Sequence, residues 1–111
     1  MKSFKYFISV IILSLGINTY AQTLIKTESI KVYGNCDMCK ARIEKALKTD
    51  GISKAEWNTK TKILTIVYDT KKLKSEDIQK KIAAAGHDTE KIKADSNAYD
   101  KLPGCCKYRD N

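Results

Sequence analysis

Five residues of this 111-residue chain have side chains suited to binding a soft metal ion: four cysteines and the single histidine. They are Cys36, Cys39, Cys105, Cys106 and His87. Thiolates are the ligands that soft ions such as Cu(I) prefer, and imidazole is a frequent ligand of transition metals. Cys36 and Cys39 form the segment C-D-M-C, in which two sulfurs can converge on one ion. This pair is therefore the primary candidate for a metal site.

The C-D-M-C segment lies between a predicted strand, residues 29–33, and a helix predicted over residues 38–49 with Asp37 as its N-cap. Unpaired backbone N–H groups and the helix dipole stabilise a thiolate at a helix N-terminus. Two thiolates without a third preset ligand suit Cu(I) best, with Ag(I) and Hg(II) similar, whereas a closed Zn(II) site usually has four ligands. The motif thus predicts a Cu(I) site, with Ag(I), Hg(II) and Zn(II) as alternative ions.

The hydrophobic pattern along the chain alternates between the periods of strands and helices. Alternating apolar residues predict four strands, and apolar residues spaced three and four apart predict two helices. The predicted strands are residues 29–33, 54–57, 62–68 and 89–94, and the predicted helices are residues 38–49 and 75–86. This β-α-β-β-α-β order predicts an α+β, ferredoxin-like fold with two helices on one face of a four-stranded antiparallel sheet.

Size and charge narrow the classes of function. A chain of 111 residues has room for one domain, which excludes a large multi-substrate enzyme with its own cofactor domain. Lys and Arg number 21 against 13 Asp and Glu, which gives a formal net charge of +8. These charges are spread along the chain, and the one Trp, two Phe and six Tyr form no dense aromatic platform for stacking bases, so the composition does not indicate a nucleic-acid-binding surface.

The N-terminal residues have the pattern of a secretory signal peptide. Lys2 and Lys5 flank the start of an apolar run at residues 6–17, and Thr19 and Ala21 supply the small residues for cleavage after Ala21. The run is shorter than the roughly 20 residues of a membrane-spanning helix. We therefore expect a periplasmic protein with no membrane span after cleavage and no nucleic-acid partner. The predicted divisions are a signal peptide at 1–21, a linker at 22–26, a metal-binding domain at 27–94 and a tail at 95–111.

The segment GNCDMCKARIEKAL, residues 34–47, resembles the heavy-metal-associated domain of copper chaperones, mercury-binding periplasmic proteins and metal-pumping ATPases. The resemblance extends over about residues 27–94. It implies that Cys36 and Cys39 bind the metal and transfer it by thiolate exchange to a partner such as a P-type ATPase or an efflux component. It also implies a monomeric carrier and not an enzyme.

Two other positions are informative beside the family pattern. The segment A-A-G-H-D at 84–88 resembles the end of the family's second helix, where an aromatic, Lys or His side chain approaches the metal. His87 is then a third ligand or a hydrogen-bond donor to the site, and the alternative is a surface histidine. The family usually has Met at the position of Gly34, so the core must be filled from elsewhere, with Met38 or Tyr33 as candidates. We expect Met38 to be apolar filler and not a ligand.

Two other functions fit the same cysteines. An Hg(II)-scavenging or Hg(II)-transport protein would use the same soft ligands. A periplasmic thiol–disulfide redox protein would use Cys36 and Cys39 as a reversible disulfide. Against the redox function, the strand order differs from the thioredoxin pattern, and the chain's only proline, Pro103, lies in the tail. A disulfide between Cys36 and Cys39 would close a loop too small to stabilise the fold much.

The tail carries adjacent cysteines, Cys105 and Cys106. A bond between neighbours is strained, and neighbours point in different directions, so we do not expect them to pair with each other. Ten residues of extended chain reach about 33 Å, whereas a strand of six residues spans only some 20 Å. The tail can therefore return to the metal end, with a helical turn at 97–102 that buries Tyr99 and Leu102. We predict a four-thiol cluster, in which the tail adds thiolates to the metal when reduced or forms tail-to-loop disulfides when oxidised, with a tail sulfur within about 6 Å of the C-D-M-C pair. The alternative is a frayed tail.

Overall fold

The computed structural model describes residues 24–110. The predicted signal peptide and its cleavage point lie outside these residues. The strands are β1 (Ile25–Lys31), β2 (Ile52–Trp57) and β3 (Ile63–Asp69), the helices are α1 (Asp37–Ala46), α2 (Ser75–Ala84) and α3 (Ser96–Asp100), and two 3₁₀ turns follow at Gly104–Cys106 and Tyr108–Asp110. Because β1 begins at Ile25, the domain starts inside the segment predicted to be a linker.

The three strands form an antiparallel sheet in the order β1-β3-β2. The central strand β3 alternates strictly, so that Leu64, Ile66 and Tyr68 are buried on one face. Buried residues of α1 and α2, including Ile43 and Ile78, belong to the same core. Burying one such aliphatic side chain contributes about 1.5–3 kcal/mol, so this face accounts for much of the stability. The arrangement confirms the ferredoxin-like fold class.

The prediction of a fourth strand at 89–94 is wrong beyond its first residue. Thr89 makes an isolated bridge to Val32, and the chain then turns away from the sheet. The Thr89 N–H donates to the Ile92 carbonyl (2.8 Å), and the Ile92 N–H donates to the Thr89 hydroxyl (3.0 Å). The Glu90 N–H still donates to the Lys31 carbonyl (3.1 Å), but the local hydrogen bonds take the Ile92 N–H and carbonyl, which a continuing strand would have offered to β1. Ala94 is nevertheless buried.

Helix α1 begins one residue before its predicted start, and helix α2 begins at Ser75 as predicted. Cys36 is the N-cap of α1, and Asp37 is the first helical residue, where its charge suits the helix dipole. Lys74 is the N-cap of α2, and its N–H donates to the Asp77 carboxylate (2.9 Å). The shift matters at α1 because it places one metal-site cysteine at the cap itself.

The tail packs on the domain and is not frayed. Helix α3 buries Tyr99, and Leu102 follows it into the core, as predicted. Gly86, which ends α2 with a φ of +104°, makes room for this packing. A Cβ at that position would lie 2.9 Å from both the Ala98 carbonyl oxygen and a Leu102 methyl carbon. Glycine is therefore required there for both conformation and space.

Within residues 24–110, the helices are too short or too polar to cross a lipid bilayer.

Candidate metal centre

Three cysteine sulfurs meet at the N-terminus of α1. The Sγ atoms of Cys36, Cys39 and Cys106 all lie within 4.8 Å of one another. Some point is then no more than about 2.8 Å from all three sulfurs, close to the metal–sulfur bond length of about 2.3 Å. Cys39 and Cys106 are fully buried and Cys36 is half-buried. Small side-chain motions would therefore let the three thiolates bind one ion.

The start of α1 fixes the positions of the Cys36 and Cys39 sulfurs. Cys36 has extended backbone angles at the N-cap and Cys39 lies in the first turn, so their Sγ atoms are 3.8 Å apart. The Asn35 N–H donates to the Cys39 sulfur (3.3 Å). The backbone N–H of Cys39 stabilises the Cys36 thiolate and, with that of Met38, holds the pKa of Cys36 below its ordinary value. The half-exposed Cys36 is thus prepared to bind a cation.

Helix α1 is attached to the end of β2 by polar contacts next to the site. The Glu44 carboxylate accepts the Trp57 N–H (2.9 Å), and the Lys40 ammonium donates to the Trp57 carbonyl (3.1 Å). Lys40 and Glu44 are also paired with each other. Both backbone groups of Trp57 are therefore bound to one face of α1, which fixes the helix relative to the sheet.

Trp57 fills the space that the family usually gives to a methionine. Its indole is buried and donates from Nε1 to the Val32 carbonyl (3.0 Å). A Cβ at Gly34 would lie 3.1 Å from both the indole and the Cys39 Cβ. The absence of a side chain at Gly34 is thus what admits the ring beneath the metal loop.

The expectation that Met38 or Tyr33 fills this space is wrong. Met38 is 50% exposed and Tyr33 is 44% exposed. The sequence offered a signal that we did not use, namely a glycine at the usual methionine position together with the chain's single tryptophan. The space left by the absent side chain at Gly34 is the space that the Trp57 ring occupies.

Cys106 is held by the residues that follow it. The Tyr108 hydroxyl donates to the Gly86 carbonyl (2.9 Å) and accepts the Asp88 N–H (2.8 Å). The Arg109 guanidinium donates to the Asp88 carboxylate at 2.6 and 3.2 Å and to the Ala94 carbonyl at 2.7 Å. We call Asp88, Tyr108 and Arg109 the tail clasp. Sequence reasoning missed this group, although Tyr108 and Arg109 lie two and three positions after Cys106.

The electrostatics of Cys106 differ from those of Cys36. Burial, followed by the nearby Cys39, raises the pKa of the Cys106 thiol well above its ordinary value. A buried thiolate is costly unless a cation accompanies it. Cys106 therefore keeps its proton until an ion arrives, and metal binding would release that proton.

His87 lies beside the tail but outside the three-sulfur group. It is fully buried, its Nδ1 donates to the Tyr33 carbonyl (2.8 Å), and its ring stacks on that of Tyr108 at 5.5 Å between centroids. Burial lowers its pKa, which favours the neutral ring. Nε2 has no hydrogen-bond partner among the described residues. A role for His87 at the metal stays a prediction.

The Cys105 sulfur is outside the three-sulfur group but close to it, since its side chain contributes to the shifted pKa values of both Cys36 and Cys106. Cys105 is exposed, and its Sγ lies 3.5 Å from the Met38 Sδ. Its carbonyl accepts a hydrogen bond from the Asn35 side chain (3.3 Å) and lies 3.8 Å from the Cys36 Sγ. The predicted cluster of four thiols is thus a cluster of three, with the fourth cysteine immediately outside it. All four cysteines are free thiols.

Comparison with known proteins agrees with this geometry. A model of the heavy-metal-associated domain matches residues 35–88. A zinc-transporting ATPase of Synechocystis is 37% identical over 65 residues, which are 57% of this chain and 9% of the ATPase. Among solved structures, a copper form of a CopA variant from Bacillus subtilis is 31% identical over 59% of this chain and 88% of that one, with a TM-score of 0.51.

The chain belongs to the heavy-metal-associated domain family. The structure of the CopZ metallochaperone is 29% identical, with a TM-score of 0.55, over 58% of this chain and 98% of CopZ. The domain thus corresponds to a whole small metallochaperone and to a small part of the ATPase. It is a metal-binding domain of the chaperone type with a C-x-x-C cysteine group.

The third sulfur lies outside the family match. The matched segment ends at Asp88, whereas the tail that supplies Cys106 begins after Ala94. Cys106 is therefore a buried thiol supplied by a tail that lies beyond the matched segment.

Proposed function

We propose that this heavy-metal-associated domain is an exported Cu(I) carrier or sequestration protein that holds its ion with Cys36, Cys39 and Cys106. The observation that carries the proposal is the meeting of these three sulfurs within 4.8 Å. Export rests on the signal-peptide pattern of residues 1–21. In that compartment a buried thiolate site would keep a reactive ion away from oxidants and from other ligands.

The donor set supports Cu(I) over the alternative ions. Three soft thiolates in an apolar pocket suit Cu(I), and Ag(I) shares its preferences. Zn(II) prefers four tetrahedral ligands, and the three-sulfur group lacks a fourth. Similarity to a zinc-transporting ATPase makes Zn(II) the competitor to test. Scavenging of Hg(II) is the second candidate, because the same thiolates would bind it.

The uneven exposure of the three sulfurs supports transfer by ligand exchange. Cys36 is the most exposed of them and has the lowered pKa, so it is the sulfur that a partner's thiolate would replace first. Cys39 and Cys106 would release the ion afterwards. A P-type ATPase or an efflux component with its own soft ligands is the proposed recipient, by analogy with the relatives.

A competition titration tests the proposal. The exported form, residues 22–111, is reduced without oxygen and titrated with Cu(I), Hg(II) and Zn(II) against chelators of known affinity. We expect one tightly bound Cu(I) per chain, with Zn(II) displaced by it. Stronger binding of Zn(II) than of Cu(I) would contradict the proposal.

A disulfide-reduction assay distinguishes a metal carrier from a thiol–disulfide redox protein. The same reduced chain is assayed for reduction of insulin disulfides, with thioredoxin as the positive control. A metal carrier should show no turnover, whereas repeated turnover would favour the redox function.

A further inference from the structure

A second pair of sulfur atoms lies on the surface above the three-cysteine group. The Cys105 Sγ is 3.5 Å from the Met38 Sδ, although the two residues are 67 positions apart in the chain. Both side chains are exposed. An exposed methionine is not apolar filler, and its thioether is a soft ligand for the ions that thiolates bind.

The outer pair is connected to the inner group through shared backbone. Met38 lies between Cys36 and Cys39, and Cys105 is the neighbour of Cys106. The Cys105 carbonyl is 3.8 Å from the Cys36 Sγ. The sulfurs thus form a graded series: Met38 and Cys105 are exposed, Cys36 is half-buried, and the last two are fully buried.

The position of the outer pair is defined by contacts and not by chance proximity. The Asn35 side chain donates to the Cys105 carbonyl (3.3 Å), which ties the tail to the metal loop at this point. Met38 is in the first turn of α1, whose backbone is fixed by the helix. Two ligand bonds of about 2.3 Å span at most about 4.6 Å. The exposed side chains need to separate by only about 1 Å to admit an ion.

We propose that Met38 and Cys105 form an outer site that receives a monovalent soft ion, Cu(I) or Ag(I), and passes it to Cys36, Cys39 and Cys106. This proposal rests on the proposed function of the inner group. A neutral thioether and one thiolate bind more weakly than three thiolates, so the ion moves inward down a gradient of affinity. Without the outer site, an ion would have to enter through Cys36, the one partly exposed sulfur of the inner group.

The transfer is a ligand exchange without oxidation or reduction. Cys105 gives its proton to water when the ion binds. The bonds from the ion to Met38 and Cys105 then break as bonds to the inner sulfurs form. The inner thiols release their protons to water, and Cys105 takes one back. The ion remains monovalent throughout.

A methyl label makes the outer site directly observable. The chain has two methionines, Met1 and Met38, so Met38 is the single methionine of residues 22–111. The reduced exported form carrying a ¹³C-methyl-methionine label is titrated with Ag(I), which is not redox-active under these conditions. We expect the first equivalent to fill the inner site and the second to shift the Met38 methyl signal. In C105S the second equivalent should produce no shift.

The rate of loading provides the second measurement. Cu(I) is delivered from a weak chelator and loading is followed by stopped flow. We expect M38L and C105S to load about tenfold more slowly than wild type, a change of about 1.4 kcal/mol in the barrier. M38C keeps a soft ligand and should restore most of the rate. T27S, a variant on the exposed part of β1, serves as a control for substitution itself.

The outcomes separate the two proposals. Wild-type loading rates in M38L and C105S, or an unchanged methyl signal at excess Ag(I), would overturn the outer site and leave the inner site standing. If C105S lost the first equivalent of Ag(I), Cys105 would belong to the inner site, and the proposal of an outer site would also be overturned. Absence of tight binding in the wild-type chain would overturn the proposed function itself.

Discussion

The two cysteine pairs of this domain differ in what their spacing allows. Cys36 and Cys39 are three positions apart across a helix start, and their sulfurs lie 3.8 Å from each other. Cys105 and Cys106 are adjacent, and one is exposed while the other is fully buried. Separation by one helical turn brings side chains to the same face, whereas adjacency directs them apart. The first pair thus brings its two sulfurs together, whereas the second pair places one sulfur in the three-cysteine group and the other beside Met38.

The two pairs also differ in what holds them. The first is fixed by the core, through Trp57 and the start of α1. The second is fixed by the tail clasp of Asp88, Tyr108 and Arg109, which is partly exposed. Exposed polar contacts are individually weak. The core-held pair should therefore dominate affinity, and the clasp-held Cys106 should contribute less to it.

The largest effect is expected from C36S. Loss of one core-held thiolate should lower Cu(I) affinity by at least about 100-fold, which corresponds to roughly 2.8 kcal/mol. The change is measured by chelator competition, with circular dichroism to verify the fold. Because Cys36 is half-buried and the core does not depend on its sulfur, the fold should remain. An affinity equal to that of the wild type would remove Cys36 from the site.

The variant G34L tests the packing of Trp57 beneath Cys36 and Cys39. A side chain at Gly34 would meet the Trp57 ring and the Cys39 Cβ at about 3.1 Å. Overpacking of this kind costs about 1–3 kcal/mol. Chemical denaturation should show this loss in the free energy of unfolding. G104L is the matched control, since a Cβ at Gly104 meets no atom within 4 Å. Equal stability of the two variants would contradict the packing described for Trp57.

Comparison of C106S with C105S separates the adjacent cysteines. If Cys106 supplies a third thiolate, C106S should lower equilibrium Cu(I) affinity about tenfold more than C105S, a difference of about 1.4 kcal/mol. X-ray absorption should show a change from three sulfur ligands to two in C106S alone. Equal affinities and coordination numbers for the two variants would show that the tail is not part of the inner site.

The smallest effect is expected from loosening the clasp with D88N. Burial alone would raise the pKa of Asp88, but the bonds from Arg109 and the Ala94 N–H outweigh it and lower that pKa. A lowered carboxyl pKa stabilises the folded tail above the unfolded value of about 3.9, and this stabilisation is lost as the pH falls through the folded value. D88N should therefore destabilise the tail by about 1 kcal/mol at pH 7.

Hydrogen exchange of tail amides measures this effect, with N97D on the exposed face of α3 as the control. The difference between D88N and the wild type should shrink as the pH falls below the unfolded pKa, and should disappear at a pH low enough to protonate the Asp88 carboxyl in the folded protein. A difference that persists at that pH would assign the effect to packing and not to the ion pair.

Much of the fold was predictable from local patterns. The alternation in β3 and the helical spacing in α1 and α2 indicated the ferredoxin-like fold, because burial on one face imposes those periods. The fourth strand was not predictable in this way. Residues 89–94 have strand-like alternation, but the Thr89 hydroxyl and the Ile92 backbone close a turn instead. Side-chain hydrogen bonds of this kind depend on local geometry that periodicity does not describe.

The sequence by itself determined the type of ligands at the candidate site, and the tertiary structure decided which further cysteine joins the C-x-x-C pair. The C-x-x-C pair at a helix start specifies a soft-metal site, because helix geometry and backbone N–H groups act over three residues. The choice between Cys105 and Cys106 depended on contacts across the chain, from Tyr108 to Gly86 and from Asn35 to Cys105. Long-range packing alone could place one sulfur in the core and the other beside Met38.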